Sequence, residues 1–330
     1  MKTEHGVEER AGPVEHEPFF WSYIPRDQLR RLVAMGREKG LDEPIEEILG
    51  QRAGSGYYRK LLDEDRGDFS FLWDVPSDGK VLDFGSGWGT TALALARRIS
   101  GLVALDATRE NLDFARLRAR EAGQENILFV HVEPLERFRF PCAAGSFDGV
   151  VLIGILEWVG NVFRKGSPDD LQIRFLKEIH EVLKPGGSIY LAIENRFGAP
   201  YWLGQPDPHA HVPFLSLLPR WAANAVSFLV RGQPYRTYTH SYRKLRKILK
   251  EAGFDDLHFY VSLPDYRSPR ALLPLDEPRA IGFWLRNNFV PRRRMHYLQA
   301  GMLWLIASLR LLPLLVPDFV VVAHRGPSTP

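Results

Sequence analysis

Between residues 78 and 195 the chain alternates short apolar runs with amphipathic stretches. Val81-Leu82-Asp83-Phe84 is an apolar run that ends in an acid, and Thr90–Ala96 after it has the composition of a helix. Gly101–Asp106 is a second apolar run, again ending in an acid. Behind Thr108, a helix-capping residue, Leu112, Ala115, Ala119 and Ala122 recur at helical spacing, and Gly123 stops the helix. Asn126–Val132 predicts a third strand. Ser146–Gly154 predicts a fourth, running on through Ile155–Val159. Leu171, Phe175, Ile179 and Val182 mark the inner side of a helix over about 170–183, ended by Lys184-Pro185-Gly186-Gly187, and Ser188–Ile193 is a fifth strand. Strands that are apolar almost throughout, separated by helices, predict an α/β fold with a parallel sheet covered on both faces.

The flanks follow other patterns. Residues 1–18 are polar. Helices are predicted over Arg26–Lys39 and Asp42–Leu49, with a further segment around Tyr57–Leu62 whose Tyr57, Tyr58, Arg59 and Lys60 either line a cap or solvate a helix. Beyond the fifth strand, Pro213–Val230 is apolar and helical, Thr239-His240-Ser241-Tyr242 opens another helix, and Phe254–Leu263 is a sixth strand. Residues 264–270 form a rigid polar loop, and Asp318–His324 is the last strand. The apolar run of 300–316 follows Arg292-Arg293-Arg294 and is broken by Arg310, Pro313 and Pro317. A spanning helix needs about 20 apolar residues. The run therefore predicts a helix buried on the sheet or one lying at a lipid interface.

The turn after the first strand carries the chemistry. Gly85, Gly87 and Gly89 stand at alternate positions directly behind Asp83. A dinucleotide site needs Gly-x-Gly-x-x-Gly or Ala. Here the third glycine falls one residue early and Thr90 takes the next place. Asp83 would repel a pyrophosphate and hold a cation. Asp106, ending the second strand about 20 residues on, is placed to accept hydrogen bonds from ribose hydroxyls.

At these residues the chain resembles the class I S-adenosylmethionine-dependent methyltransferases, whose first motif is an acid followed by Gly-x-Gly-x-Gly. Ser146-Phe147-Asp148, Leu156-Glu157 and Leu183-Lys184-Pro185-Gly186-Gly187 resemble its small-molecule branch. The resemblance implies a Rossmann-like sheet, mostly parallel, with the last strand antiparallel between the fifth and sixth. It implies an N-terminal tail and helical cap over 1–75, then a methyltransferase domain over 76–330 with insertions at about 196–238 and 264–317. It also implies S-adenosyl-L-methionine as cofactor, bound by Asp83, Gly85, Ser86, Gly87, Gly89, Asp106, Ala107, Gly154 and Ile155, with Glu133 as the nearest acid after the third strand. Where the family often has His after Leu-Glu, this chain has Trp158.

Composition narrows the acceptor. With 43 basic and 40 acidic residues the net charge is only +3, and no basic stretch is interleaved with aromatics, so no nucleic-acid partner is expected. The lone Cys142 excludes an internal disulfide and fits a reducing compartment, and Met1-Lys2-Thr3-Glu4-His5 does not begin a secretory signal. A cytoplasmic location follows, at most peripheral to the inner face of a membrane. The expected partner is a small-molecule acceptor; the oligomeric state is not legible. The segment 194–211 leaves the carboxyl end of a strand and carries Glu194, Asp207, His209 and His211. With His240 these supply the candidate bases, Glu194, His209, His211 and His240, for O-methylation of a small molecule, glycan or lipid-linked precursor. No metal is expected, because the sulfonium methyl is already activated and the Asp207, His209, His211 spacing matches no closed metal site. The alternative is a methyltransferase fold that binds without catalysing.

Overall fold

The computed structural model describes residues 23–50, 62–132, 140–163, 165–288 and 311–326. Its strands are β1 (Lys80–Phe84), β2 (Gly101–Asp106), β3 (Ile127–His131), β4 (Phe147–Ile153), β5 (Leu183–Glu194), β6 (Phe254–Leu263), β7 (Ala271–Pro274) and β8 (Asp318–Arg325). They form one sheet in the order β3-β2-β1-β4-β5-β8-β6-β7. The first five are parallel to their neighbours, and β8 lies antiparallel between β5 and β6. This is the Rossmann-like methyltransferase arrangement.

Side chains alternate across a strand, so neighbours in sequence serve opposite cores. Leu82, Val103, Val150, Leu191 and Val321 join one cluster, and Val81, Leu102, Val151, Tyr190 and Val320 join the other. The first face is covered by α5 (Pro168–Val182) through Phe175, Leu176 and Ile179, and by α7 (Tyr242–Glu251) through Leu245, Ile248 and Leu249. The second is covered by α3 (Thr90–Ala96), through Ala92 and Leu95, and by a 3₁₀ segment over Glu64–Phe71 whose Phe69 stacks on Tyr190 at 3.7 Å. Asp148 organises the start of β4. It accepts from the Lys80 backbone N–H and from Lys184 Nζ, both at 2.8 Å.

At the N-terminal side α1 (Arg26–Lys39) and α2 (Asp42–Leu49) follow the predicted bounds. Their Leu29, Leu32 and Leu49 pack with Trp88 and with Phe114 of α4 (Arg109–Glu121). Arg30 Nε donates to Glu110 at 2.8 Å, and the Leu41 N–H donates to Glu121 at 2.7 Å. Tyr57, Tyr58, Arg59 and Lys60 lie outside the described residues.

Three sequence expectations change in the structure. The fourth strand does not continue through 155–159. Gly154 takes φ +67 and turns the chain into a 3₁₀ turn, Leu156–Trp158, followed by one helical turn, Val159–Val162. The helix expected over 213–230 is shorter: α6 (Arg220–Arg231) buries only small residues, Ala223 and Ser227, and leaves Trp221, Phe228, Leu229 and Val230 exposed. Residues 264–317 hold the edge strand β7 and α8 (Pro278–Asn288), missed because a run of four ending in Pro274 is too short to signal a strand. Arg292-Arg293-Arg294 and Trp304 fall outside the described residues, where Leu312 and Val316 are buried and Leu311 and Leu314 partly exposed. Among the described residues no helix is long and apolar enough to cross a membrane.

Candidate active site

The carboxyl ends of β1 and β2 meet at the glycine turn. Gly85, at φ +76, lies so close to Ile155 that a Cβ there would stand 2.2 Å from Ile155 Cδ1. Gly89, also at φ +76, starts α3 against Ala115, where a Cβ would meet another at 2.8 Å. The backbone N–H groups of Gly85 and Ser86 donate to Leu105 O at 2.7 and 3.1 Å, which ties the turn to β2. Arg118 clamps its far side, donating to Trp88 O at 2.8 Å and Thr90 Oγ1 at 3.0 Å.

Asp106 is the hub. It accepts from the Gly87 N–H at 2.8 Å and the Thr108 N–H at 2.7 Å. Burial pushes its carboxyl up, against the lowering pull of these two N–H groups. Ala107 follows it and offers its carbonyl to His131 Nε2 at 3.1 Å. Tyr23 roofs the turn, edge-on to Trp88 at 5.1 Å. Buried Asp83 Oδ2 and Ser86 Oγ have no hydrogen-bond partner among the described residues. An orphaned carboxylate oxygen and an orphaned hydroxyl beside a glycine-lined cradle fit a polar, cationic ligand. Glu133 lies outside the described residues.

A second cluster stands at the carboxyl ends of β4 and β5. Gly154 closes β4, and a Cβ there would lie 3.5 Å from both Glu157 Oε1 and the Tyr266 hydroxyl. Glu194 closes β5 and accepts at Oε1 from Tyr266 at 2.8 Å and Arg267 at 3.0 Å. His209 arrives from the segment after β5, with Nε2 at 3.7 Å from Glu157 Oε1 and 3.9 Å from Glu194 Oε2. Its ring sits edge-on to Trp158 at 5.1 Å. An imidazole thus lies against Trp158, at the position where the family often has His, although it comes from residue 209.

The insertion is fastened so that this geometry holds. Asp207 accepts from the backbone N–H groups of His209 and Ala210 at 2.9 and 2.8 Å and from the Tyr235 hydroxyl at 2.8 Å. Gln172 of α5 donates to Leu156 O and Tyr238 O at 2.7 and 2.8 Å, tying the insertion to the turn that carries Glu157. Burial alone would lower the His209 pKa, but Glu157, Glu194 and Asp207 together raise it to about 9. Burial raises the Glu157 carboxyl, against the pull of His209.

The other candidate bases lie elsewhere. His211 is exposed, at φ +56, outside the cluster. His240 is buried against Gln172, and burial with nearby Arg220 pushes it down to about 3, so it is a structural, neutral histidine. Glu157, Tyr266 and Arg267 join the site unannounced. Glu157 stood in the Leu-Glu segment of the resemblance, and Tyr266-Arg267 in the rigid polar loop.

Residues 82–191 match the family model described as a methyltransferase domain. A ubiquinone biosynthesis O-methyltransferase of Xanthomonas axonopodis pv. citri is 33% identical over 129 residues, 39% of this chain and 48% of that protein. One of Paracidovorax citrulli is 29% identical over 186 residues, 51% of this chain and 72% of that protein. The chain spans about half the length of most of the curated relatives it matches. A putative methyltransferase of Bacillus halodurans is a solved structure with a TM-score of 0.44 at 17% identity, covering 79% of this chain and 99% of that one. Residues 82–191 thus carry a methyltransferase domain.

If Asp83 holds the cofactor, binding is expected to depend on pH. Burial, helped by Asp106 and opposed by Arg66, raises its carboxyl to about 7. A folded value above the ordinary one means that the empty site favours the neutral acid below about pH 7. A cationic ligand favours the carboxylate. S-adenosylmethionine affinity is therefore expected to rise with pH up to about 7 and to weaken by up to about tenfold per unit below it. Calorimetric titration across pH 5.5 to 8.5, roughly centred on that value, reads the slope, and a flat profile contradicts the role of Asp83.

Proposed function

We propose that this chain transfers the methyl group of S-adenosylmethionine to an oxygen of a small molecule, a glycan or a lipid-linked precursor. The observation that carries this reading is the buried Glu157, Glu194 and His209 cluster beside Gly154, at the carboxyl ends of β4 and β5, the edge where ligands bind in open α/β sheets. The relatives' printed name, an O-methyltransferase, supports oxygen as the acceptor atom.

The residues divide the work. Asp83 holds the positive end of the cofactor, Asp106 its ribose, and Gly85, Gly87 and Gly89 let the backbone approach it; Ser86, Ala107 and Ile155 complete the wall. When bound, the cofactor supplies a methyl carbon already activated by its sulfonium. Transfer would break the carbon–sulfur bond as the carbon–oxygen bond forms and release S-adenosylhomocysteine, and the acceptor's proton would pass to a carboxylate of the cluster, Glu157 or Glu194, beside His209. Tyr266 and Arg267 fix Glu194, and Trp158 backs His209. The exposed apolar face of α6, with Trp221 78% and Leu229 83% accessible, favours an acceptor met at a lipid surface by a peripherally bound protein.

Incubation with methyl-labelled cofactor and fractionated cell extract tests the reading. Label is expected in an aqueous metabolite or, following the α6 face, in the organic lipid fraction. Label confined to RNA or protein would contradict it. Cofactor binding with no label in any fraction would favour the binding protein without catalysis.

A further inference from the structure

We propose that Glu157, Glu194 and His209 form a divalent-cation site. The inference deepens the reading above by naming what draws the acceptor's proton away, but cation binding itself requires neither cofactor nor acceptor. Each of the three residues presents one ligand atom, and these atoms lie within 4.8 Å of one another.

The spacing is wrong for hydrogen bonds and right for shared ligands. His209 Nε2 stands 3.7 Å from Glu157 Oε1 and 3.9 Å from Glu194 Oε2. Hydrogen bonds between such atoms run to about 3.2 Å. Nitrogen and oxygen ligands about 2.1 Å from one ion stand about 3–4 Å apart. Each carboxylate also has an oxygen left over. Glu194 spends Oε1 on Tyr266 and Arg267, while its Oε2 and Glu157 Oε2 have no hydrogen-bond partner among the described residues, although both side chains are more than nine-tenths buried.

The surroundings have the form of an outer shell. A ligating imidazole commonly turns its second nitrogen to a carboxylate, and ligating carboxylates are themselves hydrogen-bonded. His209 Nδ1 is 3.7 Å from Asp207 Oδ1, too far for a hydrogen bond, but Asp207 holds the His209 backbone N–H and is anchored by Tyr235, and Glu194 is anchored by Tyr266 and Arg267. Two carboxylates and one imidazole suit Mn²⁺, Fe²⁺, Zn²⁺ or Mg²⁺ rather than a thiophilic ion. Three protein ligands leave positions open, where an acceptor hydroxyl would be polarised and its proton made easier to remove. Sequence spacing could not show this, because Asp207-x-His209-x-His211 sends only His209 into the site.

The test is metal uptake by the full chain, stripped with chelator and titrated with Co²⁺ and then Mn²⁺, without cofactor. One equivalent is expected to bind, with the visible absorption of Co²⁺ in an oxygen–nitrogen site. Glu194→Gln, which keeps shape, and His209→Ala are each expected to weaken binding at least about tenfold, with circular dichroism confirming the fold. A second cluster, Asp256, His258 and His324, lies at the surface of β6 and β8. His258→Ala should leave the bound equivalent in place. No uptake by the wild-type chain, unchanged affinity in both site variants, or loss of the equivalent in His258→Ala would each overturn the proposal. A chain that takes up metal as described but transfers no methyl group would overturn only the functional reading.

Discussion

Asp106→Ala is expected to weaken S-adenosylmethionine binding by at least about a hundredfold while the protein stays folded. Two effects add. A carboxylate that accepts from two ribose hydroxyls contributes roughly 1.5–3 kcal/mol per bond, and about 2.7 kcal/mol is already a hundredfold. Asp106 also accepts from the Gly87 and Thr108 N–H groups, so its removal takes this acceptor from two backbone donors and loosens the glycine turn at Gly87. Asp106→Asn keeps one acceptor oxygen and should lose less. Titration calorimetry reads both variants, and affinities equal to wild type would remove Asp106 from the site.

The second large effect separates binding from chemistry. His209→Ala and Glu157→Gln are each expected to lower kcat by about 10²–10⁴ while cofactor affinity stays within a few-fold of wild type. The reason is distance along the sheet: the cofactor groups hang on the ends of β1 and β2, whereas Glu157 and Glu194 follow β4 and β5, and His209 comes from the insertion. His211→Ala, at an exposed position outside the cluster, should leave kcat near wild type. Single-turnover transfer of labelled methyl, alongside calorimetry, measures the two quantities apart. A parallel fall in both would mean that the cluster shapes the cofactor pocket and does not act on the acceptor.

The core of the fold was legible because local and global signals agree there. Val81–Phe84, Gly101–Asp106 and Phe254–Leu263 are apolar enough to read as strands, and α1 and α3 have their predicted bounds. Asp83, Asp106 and the three glycines were legible for the same reason: a turn that needs positive φ and close backbone approach admits few residue types. The Glu157, Glu194 and His209 cluster was half legible. Glu194 and His209 stood in a polar segment leaving a strand end. Nothing in their spacing distinguished His209 from His211, because the difference is one of backbone direction: His211 takes φ +56 and turns outward, while Asp207 pins the His209 backbone inward. His240 misled because a histidine at a helix start carries no mark of its burial; its partner, Gln172, lies 68 residues away. The exposure of the α6 face was not legible, because apolar composition alone does not tell a buried face from an open one.

In the proposed reaction the cofactor bridges the glycine turn and the Glu157, Glu194 and His209 cluster, with the reacting methyl facing that cluster. A crystal structure with S-adenosylhomocysteine bound measures this directly. The ribose hydroxyls are expected on Asp106, the amino acid end at Asp83, and the sulfur at Gly154 facing Glu157 and His209, with room between for a methyl group and one acceptor atom. A sulfur turned away from that cluster, or an adenosine bound elsewhere than Asp106, would contradict it.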